Sequence, residues 1–187
     1  MLIDGHNPIL QKKAKRTVIK EGYRDEFESF IDFDFSQVTP KLFFEEYLHV
    51  VVNSGMKYQV AQKIISRMKK EGYQTFGHIG KRKAIEWMAK NQNYKKCFAE
   101  LASKPTDQAK LEYLESLPYI GNITKFHLAR NLGLDIAKPD RHLVRFAKRF
   151  GYKDVQQFCK DISKKSYDTV GVIDVVLWRY ANLFGSK

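Results

Sequence analysis

The sequence predicts an all-α protein. Three observations carry that reading: apolar residues recur at helical spacing along most of the chain, no stretch alternates apolar and polar residues convincingly, and Gly, Pro and cap-type residues interrupt the helical patterns at short intervals. There is no internal repeat. At 187 residues, 43% hydrophobic and 13% aromatic, the chain buries a real core as one domain or two intimate lobes.

The elements follow in order. Residues 11–20, "QKKAKRTVIK", carry five positive charges, and residues 21–35, "EGYRDEFESFIDFDF", hold six acidic residues against Arg24. Paired carboxylates can hold a metal, but a solvated face alternating with Phe27, Phe30, Ile31 and Phe33 explains them better, and no metal site is expected. Pro40 marks a break. "PKLFFEEYLHVVVNS" is then helical, with Pro40 near the start and Leu42, Phe43, Tyr47, Val50 and Val51 near a 3.6-residue period. Gly55 interrupts, and "YQVAQKIISRMKKEGY" is a second amphipathic helix with Val60, Ile64, Ile65 and Met68 on its apolar side and Gly72 as its stop. "KRKAIEWMAKNQN" and "YKKCFAELASK" are two shorter helices, and "PTDQAKLEYLESL" is a third, capped by Thr106 or Asp107.

The formal charge is +12, which favours a polyanionic partner. Residues 57–90 hold nine Lys or Arg against two Glu, and residues 138–153 hold six against Asp140 alone. Such runs are compatible with solvated helix faces, but two of them in an already basic chain point to phosphate. No apolar run approaches the roughly 20 residues that span a bilayer, and "MLIDGHNPILQKKAKR" lacks the form of a secretory signal. Cys97 and Cys159 share no ligand spacing, so a reduced cytoplasmic setting is expected, with no zinc knuckle and too few thiolates for an iron–sulfur cluster.

The most informative stretch is "LPYIGNITKFHLARNLGLDIAKPDRHLVR", residues 117–145. Its first half is a tight turn between two helical patterns. Gly121 allows close approach of a partner, and the amides from about Gly121 to Lys125 open a helix and suit a phosphate. Thr124 and Lys125 add a hydroxyl and a charge. Its second half sets Asp140 among Arg141, His142, Arg145, Lys148 and Arg149. Pro-Asp before a helical run makes a good N-cap, and a carboxylate so placed can also serve catalysis.

"LPYIGNITKFHLA" resembles the helix-hairpin-helix motif of the base-excision DNA glycosylases, Leu-Pro-Gly-(Val/Ile)-Gly followed by a helix. "KPDRHLVRFAKRFG" resembles the segment that carries that superfamily's catalytic aspartate, and the order and interval match its endonuclease III-like members. The resemblance implies a two-lobed helical fold (HhH-GPD), with residues 41–134 as a helical lobe holding the hairpin at 117–124, and residues 1–40 plus 135–187 as the second lobe. It implies double-stranded DNA as partner, base excision repair as the process, a monomer in the nucleoid, and no cofactor, since the cluster cysteines of some members are missing.

Asp140 then becomes the catalytic carboxylate, with Asp135 a poorer match. Tyr119, Gly121, Ile123, Thr124 and Lys125, with Arg141, His142 and Arg145, become DNA-binding residues. Two departures are notable. Members that also nick the strand carry a lysine where Ile123 stands, and Lys125 is turned from that line by roughly 200° of helix rotation; a monofunctional enzyme is implied. Tyr119 replaces the first hairpin glycine.

Weaker resemblances make Asn53, Ser54 and Met56 candidates for an intercalating wedge, though a plain helix-ending loop fits them too. His49 stands near the position of a glutamate acid in adenine-removing members. Asp174, in the apolar "VGVIDVVLWRY", suits a buried hydrogen-bonded role and, more sharply, a second active-site carboxylate. Trp178, Trp87 and Phe43 could line a base pocket or belong to the core. A non-catalytic DNA-binding module using the same hairpin is the alternative function; an RNA-binding or phage accessory role has no motif behind it.

Overall fold

The computed structural model describes residues 7–185. Among them are eleven α-helices: α1 (Asn7–Lys20), α2 (Asp25–Glu28), α3 (Pro40–Asn53), α4 (Tyr58–Glu71), α5 (Ile79–Ala89), α6 (Asn93–Ala102), α7 (Asp107–Ser116), α8 (Thr124–Asn131), α9 (Arg141–Arg149), α10 (Val155–Ser166) and α11 (Val170–Phe184). No strand occurs among the described residues, so the all-α expectation holds. None of these helices is long and apolar enough to cross a membrane.

The helix starts are written in side-chain caps. Thr39, Thr106, Asp140, Asp154 and Thr169 each accept a hydrogen bond from a first-turn amide, each worth about 1 kcal/mol of helix stability. Pro40 follows Thr39 at the first helical position, where its missing N–H costs nothing. Of the two cap candidates before α7, Thr106 is the cap and Asp107 begins the helix, where its charge suits the dipole.

The chain divides into two compact units, residues 36–132 and the remainder. In the first, α3 is the central element: Phe43, Tyr47, Val50 and Val52 are fully buried, and α3 packs on α4, α5, α6 and α8. The face of α4 is rotated from the one expected. Ala61, Ile65 and Met68 are buried while Val60 is 48% exposed, because the short side chain of Ala61 lets the backbone of α4 approach its neighbours.

In the second unit, α11 is the core helix. Val170 to Leu177 are all buried, Asp174 included, and α1, α2, α9 and α10 pack on it. The basic run at 12–20 belongs to α1, whose Ala14 and Val18 are fully buried. The acidic stretch after it contains only the single turn α2, anchored by buried Phe27, with Ile31 exposed. Arg179 forms a bidentate pair with Glu26 and lies over the Tyr23 ring at 4.3 Å. Among the described residues no three His, Cys, Asp or Glu are grouped to hold a metal ion.

Candidate functional site

Asp140 caps α9 through one oxygen. Its Oδ1 accepts from the amides of His142 at 2.8 Å and Leu143 at 3.1 Å, whereas Oδ2 takes no hydrogen bond among the described residues. The carboxylate is therefore oriented by its cap and keeps an oxygen for a partner. α9 is strongly two-sided: Leu143, Phe146 and Ala147 are buried, and Arg141, Arg145, Lys148 and Arg149 are exposed. His142 is half-buried, and its ring lies 3.4 Å from Nε of Arg141.

The loop leading to Asp140 is pinned at three places by residues distant in sequence. Asp135 Oδ1 accepts from Val170 N at 2.7 Å, which gives this rival carboxylate a structural task at the start of α11. The carboxamide of Gln156 pairs with both backbone groups of Ala137. Asp174, fully buried, accepts from Lys138 N at 2.6 Å through Oδ2. Lys138 O in turn accepts from Asp140 N at 2.8 Å. Asp174 is thus buried and hydrogen-bonded through Oδ2, while its Oδ1 is buried without a hydrogen-bond partner among the described residues. Nearby Cys159 is fully buried; burial, then Asp174, Asp154 and Asp135, push its thiol well above the usual range. Trp178 is half-buried against the core of this unit with Arg179 over its ring at 4.9 Å.

The hairpin lies in the 36–132 unit, between α7 and α8. Buried Tyr47, whose hydroxyl desolvation pushes upward, donates to Pro118 O at 2.7 Å. Tyr119 accommodates the lost glycine by adopting φ +61°, in the left-handed region that costs a side-chain-bearing residue about 1–2 kcal/mol. The free amides are fewer than expected. Gly121 N donates to Thr124 Oγ1 at 2.7 Å and Lys125 N to Gly121 O at 2.9 Å. The amides of Asn122, Ile123 and Thr124 have no acceptor among the described residues, as is usual for the first amides of a helix. Ile123 is 40% exposed. The Lys125 ammonium is tied back to Glu115 on α7, at 2.5 Å, and lies over the Phe126 ring, which leaves part of its three-donor capacity for another partner.

Asn53, Ser54 and Met56 form the turn between α3 and α4. The side-chain oxygen of Asn53 is buried without a hydrogen-bond partner; Ser54 is exposed and Met56 half-buried. Asn53 as a residue is half-buried like Met56, so the three wedge candidates lie together in this turn. Phe43 is core, and Trp87 is 45% exposed on α5.

His49 is half-buried on α3, its Nδ1 3.3 Å from the Gln62 amide and its ring edge-on to His127. Burial, and then Arg130, lower its affinity for a proton. One turn earlier, half-buried Glu46 accepts from Asn131 Nδ2 at 2.8 Å, and burial raises its carboxyl. Glu46 is thus a second half-buried titratable group on this helix, and sequence offered no sign of it. Since folding disfavours the His49 proton, the unfolded chain binds more protons as pH falls through about 6.5. His49 should therefore contribute a loss of stability from pH 7.5 to 5.5, with Glu46's raised carboxyl acting in the opposite sense. His49→Asn should remove the His49 share of the pH slope in urea melts. An identical pH slope for the two proteins would exclude His49 as the cause.

No protein-family model matches the chain, and no curated protein sequence matches it significantly. Solved structures do. The Methanocaldococcus jannaschii 8-oxoguanine glycosylase/lyase in complex with a 15mer DNA containing 8-oxoguanine is similar at TM-score 0.68 and 18% identity, over 96% of this chain and 98% of that one. The structure of the 8-oxoguanine DNA glycosylase of the same organism gives 0.68 and 18% over 97% and 96%. The likeness extends over both units.

Proposed function

We propose that this chain, which has the fold of the helix-hairpin-helix DNA glycosylases, is a monofunctional DNA N-glycosylase acting in base excision repair on an altered or mispaired base in duplex DNA. The observation that carries the reading is Asp140, held by its own helix cap with one carboxylate oxygen uncommitted, in a chain of that fold.

A base must leave the stack before its bond to the sugar is reached, which demands a backbone grip and a wedge. The amides of residues 122–124 and the exposed bases of α9 supply the grip, and Asn53, Ser54 or Met56 the wedge. As the C1′–N bond breaks, its electron pair departs with the base and positive charge builds on the sugar. The Asp140 carboxylate stabilises that charge and orients the water that adds to C1′. Water's proton passes to the carboxylate and from there to solvent, and the departing base takes up a proton from solvent, so that Asp140 ends ionised as it began.

Ile123 stands where strand-nicking members carry a nucleophilic lysine, and Lys125 is paired with Glu115; both support hydrolysis without a Schiff base. The structural neighbour is named a glycosylase/lyase, which makes this the point most worth testing.

The test uses duplexes carrying uracil, mismatched thymine, alkylated purines, 8-oxoguanine or hypermodified bases. Base release from at least one is expected, visible as strand breaks only after alkali, with no covalent adduct trapped by borohydride. Release from none favours a non-catalytic DNA-binding protein. An adduct shows that a lysine acts as nucleophile and overturns the monofunctional assignment.

A further inference from the structure

The first turn of α5, His78-Ile79-Gly80-Lys81, touches two turns to which the proposed function gives DNA roles, and all three lie in the 36–132 unit. On one side is the hairpin. The Tyr119 ring stands edge-on to His78, centroids 5.8 Å apart at 88°, and its hydroxyl end fills the space over Gly80. A Cβ on residue 80 would lie 2.0 Å from that hydroxyl oxygen and 2.8 Å from Cζ. Glycine is a poor helix former, yet here any side chain would have to displace the Tyr119 hydroxyl.

On the other side is the α3–α4 turn. Lys81 is only 6% exposed, and its ammonium donates to Val52 O at 3.3 Å and Ser54 O at 2.5 Å. It thereby satisfies carbonyls at the end of α3 and favours the negative end of that helix. Burial lowers its proton affinity, so the placement is costly and specific. His78 completes the turn by accepting from Lys81 N at 3.3 Å.

Two irregularities thus compensate each other. A tyrosine occupies a left-handed position at the hairpin tip, and a glycine occupies a helical position opposite it. Neither choice is favourable alone. Together they let the Tyr119 ring stand against the first turn of α5.

We propose that residues 78–81 are a bracket that holds the hairpin and the α3–α4 turn in one DNA-binding geometry, with Tyr119 and Lys81 as positioning residues. The proposal rests on the DNA-glycosylase reading for its ligand, so its main test uses undamaged duplex DNA, which needs no excision.

Gly80→Ala would stabilise an ordinary helix turn. Here it should displace Tyr119 and weaken duplex affinity by about fivefold or more, whereas in a Tyr119→Gly background the same change should have little effect, a coupling that a double-mutant cycle reads directly. Unchanged affinity in Gly80→Ala, or the same loss in both backgrounds, overturns the hairpin half. Lys81→Met keeps the apolar stem and removes the ammonium. It should bind undamaged duplex but give a smaller rise in 2-aminopurine fluorescence when that base is the one opposite an abasic site. A rise equal to that of the unsubstituted protein overturns the Lys81 half. If the protein binds duplex and releases no base from any substrate, the glycosylase reading fails while the affinity cycle still decides the bracket.

Discussion

Asp140→Asn should fold and bind DNA like the parent protein and release base more slowly by a factor on the order of 10²–10³ or greater, the range seen when one preorganised electrostatic group is removed. The substitution separates the two tasks of this side chain. Asparagine is as good an N-cap as aspartate, so the bonds from His142 N and Leu143 N persist and the thermal midpoint should barely move. What is lost is the negative charge beside the developing oxocarbenium ion. Duplex affinity should hold or rise slightly, since a carboxylate near phosphates is repulsive. Asp140→Ala, by contrast, should also lose about 1 kcal/mol of stability with the cap. Single-turnover base release, together with thermal melts, checks all three statements. An Asp140→Asn protein with full activity would remove Asp140 from the chemistry.

Local chemistry in this sequence was legible where it acts over a few residues. Pro40, Thr106, Gly72 and Asp140 mark helix ends that the structure contains, because a cap or a stop is a contact within one turn. The hairpin and the Pro-Asp segment were legible as patterns for the same reason. The supports were not. Tyr47 reaches Pro118 across 71 residues, Lys81 reaches Val52 across 29, and Asp174 reaches Lys138 across 36. Periodicity says that such residues face inward and says nothing of what they meet. Tyr47 reads as one more apolar-face residue, and Gln156 as one more surface amide. Lys125 shows the converse. Its charge and place suggested phosphate, and only the fold brings Glu115 on the preceding helix within reach of it. Val60 was misplaced because helical spacing fixes a stripe only to within one residue, and neighbouring Ala61 is the one that packs.

Asp174→Ala should have the second largest effect, and on two readouts at once. The side chain is fully buried and its Oδ2 accepts from Lys138 N, two residues before Asp140. Removing it leaves that part-buried amide without its acceptor and opens a cavity in the core helix, at a cost of about 1–3 kcal/mol in all, or a loss of roughly 3–10 °C in Tm for a chain of this size. Gln156 still holds Ala137 and Asp135 still holds Val170 N, so the loop loosens rather than melts. Misplacement of a reacting group by about 1 Å can cost up to 10²-fold in rate, and base release should fall by about 10- to 100-fold with duplex affinity unchanged. Asp174→Asn discriminates between mechanisms. Its carbonyl oxygen can still accept from Lys138 N, so a purely positioning Asp174 should be replaced with most of the activity and stability retained. Were Asp174 a second reacting carboxylate, Asp174→Asn would instead abolish base release at an unchanged Tm, as expected of Asp140→Asn.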